Sequence, residues 1–176
     1  ENIIFENGIL FFKNQEQNFK LKNNSTEYSL NILKSNDLIF AKHPEASSSA
    51  YVDFYNKNIF LTTATGQIAY SNIKNINKND IIFKTIKSNI QEIIKYPEFY
   101  TDSQFGVKDI LLNNNKIYIS YVDQHYKGCF STSILEGDIQ YSYIKFEKFY
   151  TPNKCVDKNN KYFSIPKNKL IAHQSG

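Results

Sequence analysis

The sequence predicts an all-β fold made of β-propeller blades, each blade a four-stranded antiparallel meander. Residues that favour strands are abundant, with 13 Tyr and 14 Phe among 176 residues. Such side chains fit a pleated, half-buried surface. Short apolar runs alternate with Asn-rich turns, and one strand–turn–strand phrase occurs twice. Together these observations indicate repeated β-meanders of the kind found in propellers.

The repeated phrase sets the length of a blade. Asp53 opens the first copy and Asp109 opens the second, 56 residues later. Each Asp precedes an apolar strand, an Asn-rich turn and a second strand in which apolar, aromatic, apolar and hydroxyl residues follow one another. The repeat predicts approximate blades at 1–50, 51–106 and 107–176. A small β-sandwich of similar hairpins is the alternative, and it requires the repeat to be accidental.

Three blades do not close a ring, because propellers contain about 4–8 blades. An open array would also leave bare sheet edges, which proteins usually cover or blunt. We therefore expect an incomplete propeller whose remaining blades come from further chain or from another subunit.

Individual strands follow from short β-prone runs between turn residues. We predict them at 9–12, 28–33, 38–42, 50–55, 59–63, 67–70, 107–112, 116–121, 131–135, 144–149 and 169–173. One helix is predicted over 89–95, because Ile90, Ile93 and Ile94 recur at helical spacing. Ser88 is its expected N-cap, and Pro97 is expected to end it.

Charge argues against a nucleic-acid partner, and hydropathy argues against a membrane span. The net charge is +4, and every basic residue is Lys. Arg is the usual side chain for bidentate recognition of phosphate and guanine, so we expect no nucleic-acid partner. No run approaches the 18 or so apolar residues of a membrane span.

The chain ends and the cysteines point to export. The sequence opens with Glu1 and contains no Met, which indicates either a cleaved leader or an excerpt of a longer chain. We interpret it as removal of a signal peptide from a periplasmic or extracellular protein. Cys129 and Cys155 lack the paired spacing of zinc ligands. In an oxidising compartment we expect them to form a disulfide, and two separate buried thiols are the alternative.

Histidine is the first residue type to consider for catalysis. His173 lies in the phrase Ala172-His173-Gln174-Ser175-Gly176, at the end of a predicted strand. That position suits a side chain that projects into a cleft, although a structural role is the alternative. His43 and His125 are interpreted as surface-loop residues, and Asp123 as a turn residue.

Two phrases carry a family resemblance. The segment 173–176 resembles the His-Gln-Ser-Gly phrase of soluble quinoprotein glucose dehydrogenases and related aldose dehydrogenases, which are periplasmic six-bladed propellers. The segment that begins at Gln104-Phe105-Gly106-Val107, with the strand 116–121 after it, is similar to that family's Gln-Gly-Gly-Leu-Leu segment and its following strand. The resemblance covers about residues 100–176.

The resemblance implies oxidation of an aldose sugar with pyrroloquinoline quinone (PQQ) and calcium. It implies that His173 is the general base that takes the proton of the anomeric hydroxyl, and that Gln104 contacts the substrate. The family's ligands for the quinone and for calcium follow the His phrase, so they would lie beyond residue 176.

The sequence also departs from the family pattern. Ala172 stands where the glucose enzymes carry an Asp that helps to hold the sugar, and Phe105 follows Gln104 where the family has Gly. These departures favour the alternative, a non-catalytic extracellular propeller used for binding or assembly. Whether the chain is an enzyme stays open at this point.

Overall fold

The computed structural model describes residues 50–75, 83–102 and 105–157, together with the backbone of four earlier strands. These four strands form two antiparallel hairpins. In the first, β1 (Ile3–Glu6) pairs with β2 (Ile9–Phe12), and in the second, β3 (Gln17–Asn23) pairs with β4 (Thr26–Ile32).

A first sheet of five strands follows, which we call sheet 1. Four of its strands are neighbours in sequence order and pair antiparallel: β5 (Ala50–Tyr55), β6 (Asn58–Thr63), β7 (Ile68–Asn72) and β8 (Lys84–Ser88). A 3-10 turn at Ile73–Asn75 ends the β7 segment. The fifth strand comes from much later in the chain and lies parallel to β8.

Two short helices connect sheet 1 to the next sheet. They are α1 (Ile90–Ile93) and α2 (Glu98–Thr101). The predicted cap and helix end are both wrong. Asn89, not Ser88, occupies the N-cap, and its side chain pairs instead with the backbone of Phe146: Nδ2 donates to the carbonyl at 3.1 Å and Oδ1 accepts from the amide at 2.7 Å. Pro97 does not end α1 but begins α2.

The second sheet, sheet 2, is another antiparallel meander. Its strands are β9 (Val107–Asn113), β10 (Lys116–Tyr126), β11 (Cys129–Asp138) and β13 (Phe146–Tyr150), and β14 (Val156–Asp157) also pairs with β11. Between β11 and β13, the short strand β12 (Tyr143–Ile144) leaves sheet 2 and joins β8 of sheet 1.

Asparagine makes the tight turns that join these strands. The β9–β10 turn is formed by Asn114 and Asn115, with φ of 48° and 61°. Asn56 in the β5–β6 turn has φ of 55°. Asn tolerates this left-handed region better than most residues, and positive φ at both central positions suits the twist of a two-residue hairpin. The Asn-rich turns predicted from the sequence are therefore confirmed.

One hydrophobic cluster joins the two sheets. Sheet 1 contributes Phe60, Ile68 and Ile86, which lie on one face by the strand register. Sheet 2 contributes Val107, Ile110, Leu112, Ile117, Ile119, Tyr121 and Leu135, and the helical connection adds Ile90, Ile94 and Phe99. We call these the inner faces of the sheets. Each buried large apolar side chain stabilises the fold by about 1.5–3 kcal/mol, so this shared layer dominates the packing.

Polar contacts tie the first strands of the two sheets together. Oδ2 of Asp53 on β5 accepts a hydrogen bond from the amide of Leu112 on β9 at 2.7 Å. The connection after β11 also reaches sheet 1, because the Tyr141 ring lies 4.7 Å from Tyr70 between centroids, and its hydroxyl accepts from Nδ2 of Asn58 at 2.9 Å. Sheet 1 and sheet 2 are therefore linked at several points along the chain.

The prediction of a mainly β chain made of antiparallel meanders is confirmed, and neither sheet closes on itself. The predicted strand 144–149 is divided between β12 and β13. The predicted strands at 38–42 and 169–173 lie outside the described residues.

Replacing Asp53 with Ala tests the bond between β5 and β9. It leaves the Leu112 amide, in a residue only 8% exposed, without its acceptor. Hydrogen bonds to charged groups contribute about 1.5–3 kcal/mol, so we expect the free energy of unfolding in urea to fall by about that amount. Asp138→Ala is the control, since its exposed carboxylate forms an ion pair with Lys116 at 3.5 Å, where both side chains are well exposed. Equal losses in both variants would contradict the role given to Asp53.

Candidate functional site

The two residues that the sequence predicts for catalysis and substrate contact, His173 and Gln104, lie outside the described residues, as does His43. The main chain directly after Gln104 is described. This segment leads into β9 and is the part of the candidate site whose geometry can be stated.

Tyr96 holds the segment after Gln104 in place. Its hydroxyl donates to the carbonyl of Phe105 at 2.8 Å and also contacts the carbonyl of Val122. The Phe105 ring packs against Phe130, with 4.9 Å between centroids. Burial raises the pKa of Tyr96, and the negative charge of Asp123 adds to the shift. Tyr96 therefore stays a neutral donor at physiological pH.

Gly106 allows the main chain to approach sheet 1 closely. A Cβ at this position would lie 2.2 Å from the carbonyl oxygen of Ala64, which is closer than any real contact. The same carbonyl accepts the amide of Val107 at 2.8 Å. Gly106 stands within the phrase that resembles the sugar dehydrogenases, and here it serves the contact between β9 and the turn after β6.

Lys108 is a cationic residue near this segment that the sequence analysis did not single out. Burial lowers the pKa of its ammonium group, and the carboxylate of Asp102 opposes the shift. Its position on β9, four residues after Gln104, places a half-buried cation on the strand that Gln104 precedes. The partial burial of this side chain becomes visible only in the folded structure, because a single Lys in a strand carries no signal in the sequence.

Asp123 forms the centre of a buried polar cluster. Its side chain is 12% exposed, and Oδ2 accepts from Oγ of Ser133 and from Nζ of Lys148, both at 3.0 Å. The interpretation of Asp123 as a turn residue was wrong, because it lies inside β10 opposite Ser131. Pairing between neighbouring strands brings Asp123, Ser133 and Lys148 together, and no local sequence pattern predicts that pairing.

Tyr121 lies next to this cluster with its hydroxyl buried. Its side chain is fully buried, and its hydroxyl lies beside the side chains of Asp123 and Ser133. Burial raises the pKa of Tyr121, and the charge of Asp123 adds to this effect. The phenol therefore stays neutral, and the cluster carries one carboxylate balanced by one ammonium group.

His125 makes a contact of its own, apart from the hydrogen bonds of the Asp123 cluster. It lies near the end of β10 and not in a loop, with its side chain exposed. Its Nε2 is 2.7 Å from Oγ of Ser131 on the neighbouring strand. That contact fastens the β10–β11 hairpin.

The predicted disulfide is confirmed. Cys129 and Cys155 are joined, with 5.4 Å between their Cα atoms and a sequence separation of 26. Cys129 lies at the start of β11, where it pairs with Asp157 of β14. The bridge therefore fastens the short strand β14 to sheet 2.

Residues 50–75, 83–102 and 105–157 contain neither a cluster of metal ligands nor a membrane-spanning helix. No group of three or more His, Cys, Asp or Glu side chains there could hold a metal ion. No helix in the described part of the chain has the length and apolar character needed to cross a membrane.

Comparison with protein-family models, with curated proteins and with solved structures finds no match to this chain.

Lys148→Met tests whether the Asp123 cluster is a structural ion pair. The change leaves a largely buried carboxylate without its cation, so we expect the free energy of unfolding to fall by about 1.5–3 kcal/mol. Lys145→Met is the matched control, because its ion pair with Glu147 spans 3.7 Å and both side chains are more than 70% exposed. Such pairs contribute about 0–1 kcal/mol. A loss no larger than that of the control would contradict the structural role of Lys148.

Proposed function

We propose that this chain is the N-terminal part of an extracytoplasmic β-propeller that oxidises an aldose sugar. The observation that carries the propeller part of the proposal is the packing of two successive four-stranded meanders through their inner faces. The first meander is β5 to β8, and the second is β9, β10, β11 and β13. Their first strands, β5 and β9, lie side by side. This is the arrangement expected of consecutive blades in a propeller.

The catalytic part of the proposal rests on the resemblance of residues 100–176 to quinoprotein sugar dehydrogenases. His173 is the general base: a neutral imidazole has an ordinary pKa near 6.5 and accepts the hydroxyl proton of the sugar near neutral pH. Gln104 orients the sugar through its side-chain amide. When bound, pyrroloquinoline quinone with calcium is the hydride acceptor. By the resemblance, the residues that hold it would lie beyond residue 176.

The geometry next to Gln104 supports its proposed role. A residue that positions a substrate needs rigid neighbours, because a loosely held contact loses orientation. The Tyr96 hydroxyl, the Phe130 ring and the Ala64 carbonyl fix residues 105–107. Gln104 therefore precedes an anchored main chain. The disulfide agrees with an oxidising compartment, as the proposed export requires.

A non-catalytic propeller used for binding or assembly is the second candidate. Exposed apolar side chains on sheet 2 favour it, since Phe149 is 60% exposed and Leu111 is 56% exposed. Contiguous exposed apolar surface usually marks a site of interaction. Ala172 and Phe105, which depart from the family pattern, favour it as well.

The catalytic proposal is tested by adding quinone and calcium to the intact protein. We expect a cofactor-induced absorbance change and aldose oxidation coupled to a dye. His173→Gln should lower kcat by about 10²–10⁴-fold, the usual contribution of a general base, while leaving the absorbance change in place.

His125→Gln is the matched control, and its activity should equal that of the wild type. Failure of the wild-type protein to change the quinone spectrum would contradict the enzyme and favour the binding propeller. Equal activity of the two His variants would remove His173 from the mechanism.

A further inference from the structure

The strand β14 is attached to sheet 2 by a very short pairing. It pairs with β11 at two positions, where Cys129 lies opposite Asp157 and Phe130 lies opposite Val156. The pairing of β11 with β10, by contrast, extends over all ten residues of β11. Strands in globular proteins usually contain about 3–10 residues. A two-residue strand needs a further attachment, and the bridge from Cys129 to Cys155 provides it.

The residue next to the bridge packs against the segment that follows Gln104. The Phe130 ring lies 4.9 Å from that of Phe105 and 6.2 Å from that of Tyr96, between centroids. Phe130 is only 6% exposed. Because opposite residues of an antiparallel pair lie on the same face, Val156 of β14 lies on the same side of the sheet as Phe130. The strand β14 therefore adjoins the aromatic contacts that hold this segment.

This end of sheet 2 is separate from the core that joins the sheets. Cys129 and Phe130 are buried, yet neither belongs to the hydrophobic cluster that the described residues of the two sheets share. The long pairing of β11 with β10 does not depend on the bridge. Opening the bridge should therefore release β14 and leave both sheets folded.

The two sulfur atoms of the bridge differ in their access to solvent. Cys129 is 1% exposed, whereas Cys155 is half-buried and lies between the exposed residues Lys154 and Val156. Thiol–disulfide exchange requires a thiolate to reach one of the two sulfur atoms. An external thiolate therefore reaches Sγ of Cys155, and Sγ of Cys129 is the leaving group.

We propose that the Cys129–Cys155 bridge and β14 form a redox-sensitive clamp, whose reduction by a dithiol releases β14 and loosens residues 105–106 while the two sheets stay folded. One sulfur of the dithiol bonds to Sγ of Cys155 as the bond to Sγ of Cys129 breaks. The second sulfur of the dithiol then displaces Cys155. Two electrons and two protons pass to the chain, which ends with two thiols, and the dithiol is oxidised to a disulfide.

The clamp acts on the main chain next to the substrate contact proposed for Gln104. A consequence for sugar oxidation rests on that proposed function, because a contact on a loosened segment loses orientation. The clamp itself rests only on the pairing of β14 and on the contacts of Phe130. It applies equally to the enzyme and to the binding propeller.

Hydrogen exchange of the intact protein with and without dithiothreitol, followed by mass spectrometry, tests the proposal. Two amides report on the segment, since Phe105 donates to the Asp102 carbonyl at 3.0 Å and Val122 donates to the Gly106 carbonyl at 3.2 Å. Reduction should accelerate their exchange, and that of β14, by about tenfold or more through local opening. Amides over 117–119 should keep their protection.

Two variants separate the steps of the clamp. Cys155→Ser should reproduce the reduced pattern, and dithiothreitol should then change nothing further. Phe130→Leu keeps the bridge and removes the ring contacts, so it should accelerate the Phe105 and Val122 amides and leave β14 protected. Phe149→Leu is the matched control, because that ring is 60% exposed on β13, and it should change neither segment.

A bridge that resists dithiothreitol until the whole protein unfolds would overturn the proposal. Loss of protection over 117–119 on reduction would also overturn it, since the bridge would then support the whole of sheet 2. Unchanged exchange at Phe105 and Val122 beside a released β14 would remove the connection to the candidate site and contradict the clamp. None of these measurements involves quinone or sugar, so failure of the clamp is distinguishable from failure of the proposed activity.

Discussion

The described structure depends on the apolar layer between sheet 1 and sheet 2. Each meander alone exposes one apolar face, and a single small sheet is not stable in water without a second layer. Phe60 and Ile68 from one sheet and Ile117 and Ile119 from the other are all buried in the shared cluster. The short helices and the strand β12 add to this layer. The segment after Gln104 takes its position from the same packing, because Gly106 approaches sheet 1 directly.

Local patterns predicted the strands and turns well, because their causes are local. Alternating apolar residues set the strand faces, and Asn114 and Asn115 provide the left-handed backbone that a two-residue turn requires. Local patterns failed where contacts between distant parts of the sequence decide the structure. Ser88 has the chemistry of an N-cap, yet Asn89 takes that place while its side chain binds Phe146, 57 residues away. In the sequence Asp123 has the character of a turn residue, but in the structure pairing across strands places Ser133 and Lys148 beside it.

Some residues of the candidate site were predicted from the sequence, and others are visible only in the structure. The resemblance of two sequence phrases points to His173 and Gln104, whereas the structure describes Tyr96 and the segment 105–108. The disulfide could be predicted because the chain has only two cysteines, which leaves a single pairing. The half-buried cation at Lys108 and the neutral phenol of Tyr121 could not be predicted, since burial in the folded chain shifts the pKa of both side chains.

A shared core between the two sheets is the central claim, and cooperative unfolding tests it most directly. The chain contains no Trp, so Tyr70→Trp places a single fluorescent reporter in sheet 1, and Tyr118→Trp places one in sheet 2. In urea, each variant's fluorescence transition should coincide with its own transition in far-UV circular dichroism, as expected for one cooperative unit. A fluorescence transition in either variant that is complete while much of the β-sheet signal remains would contradict the shared core.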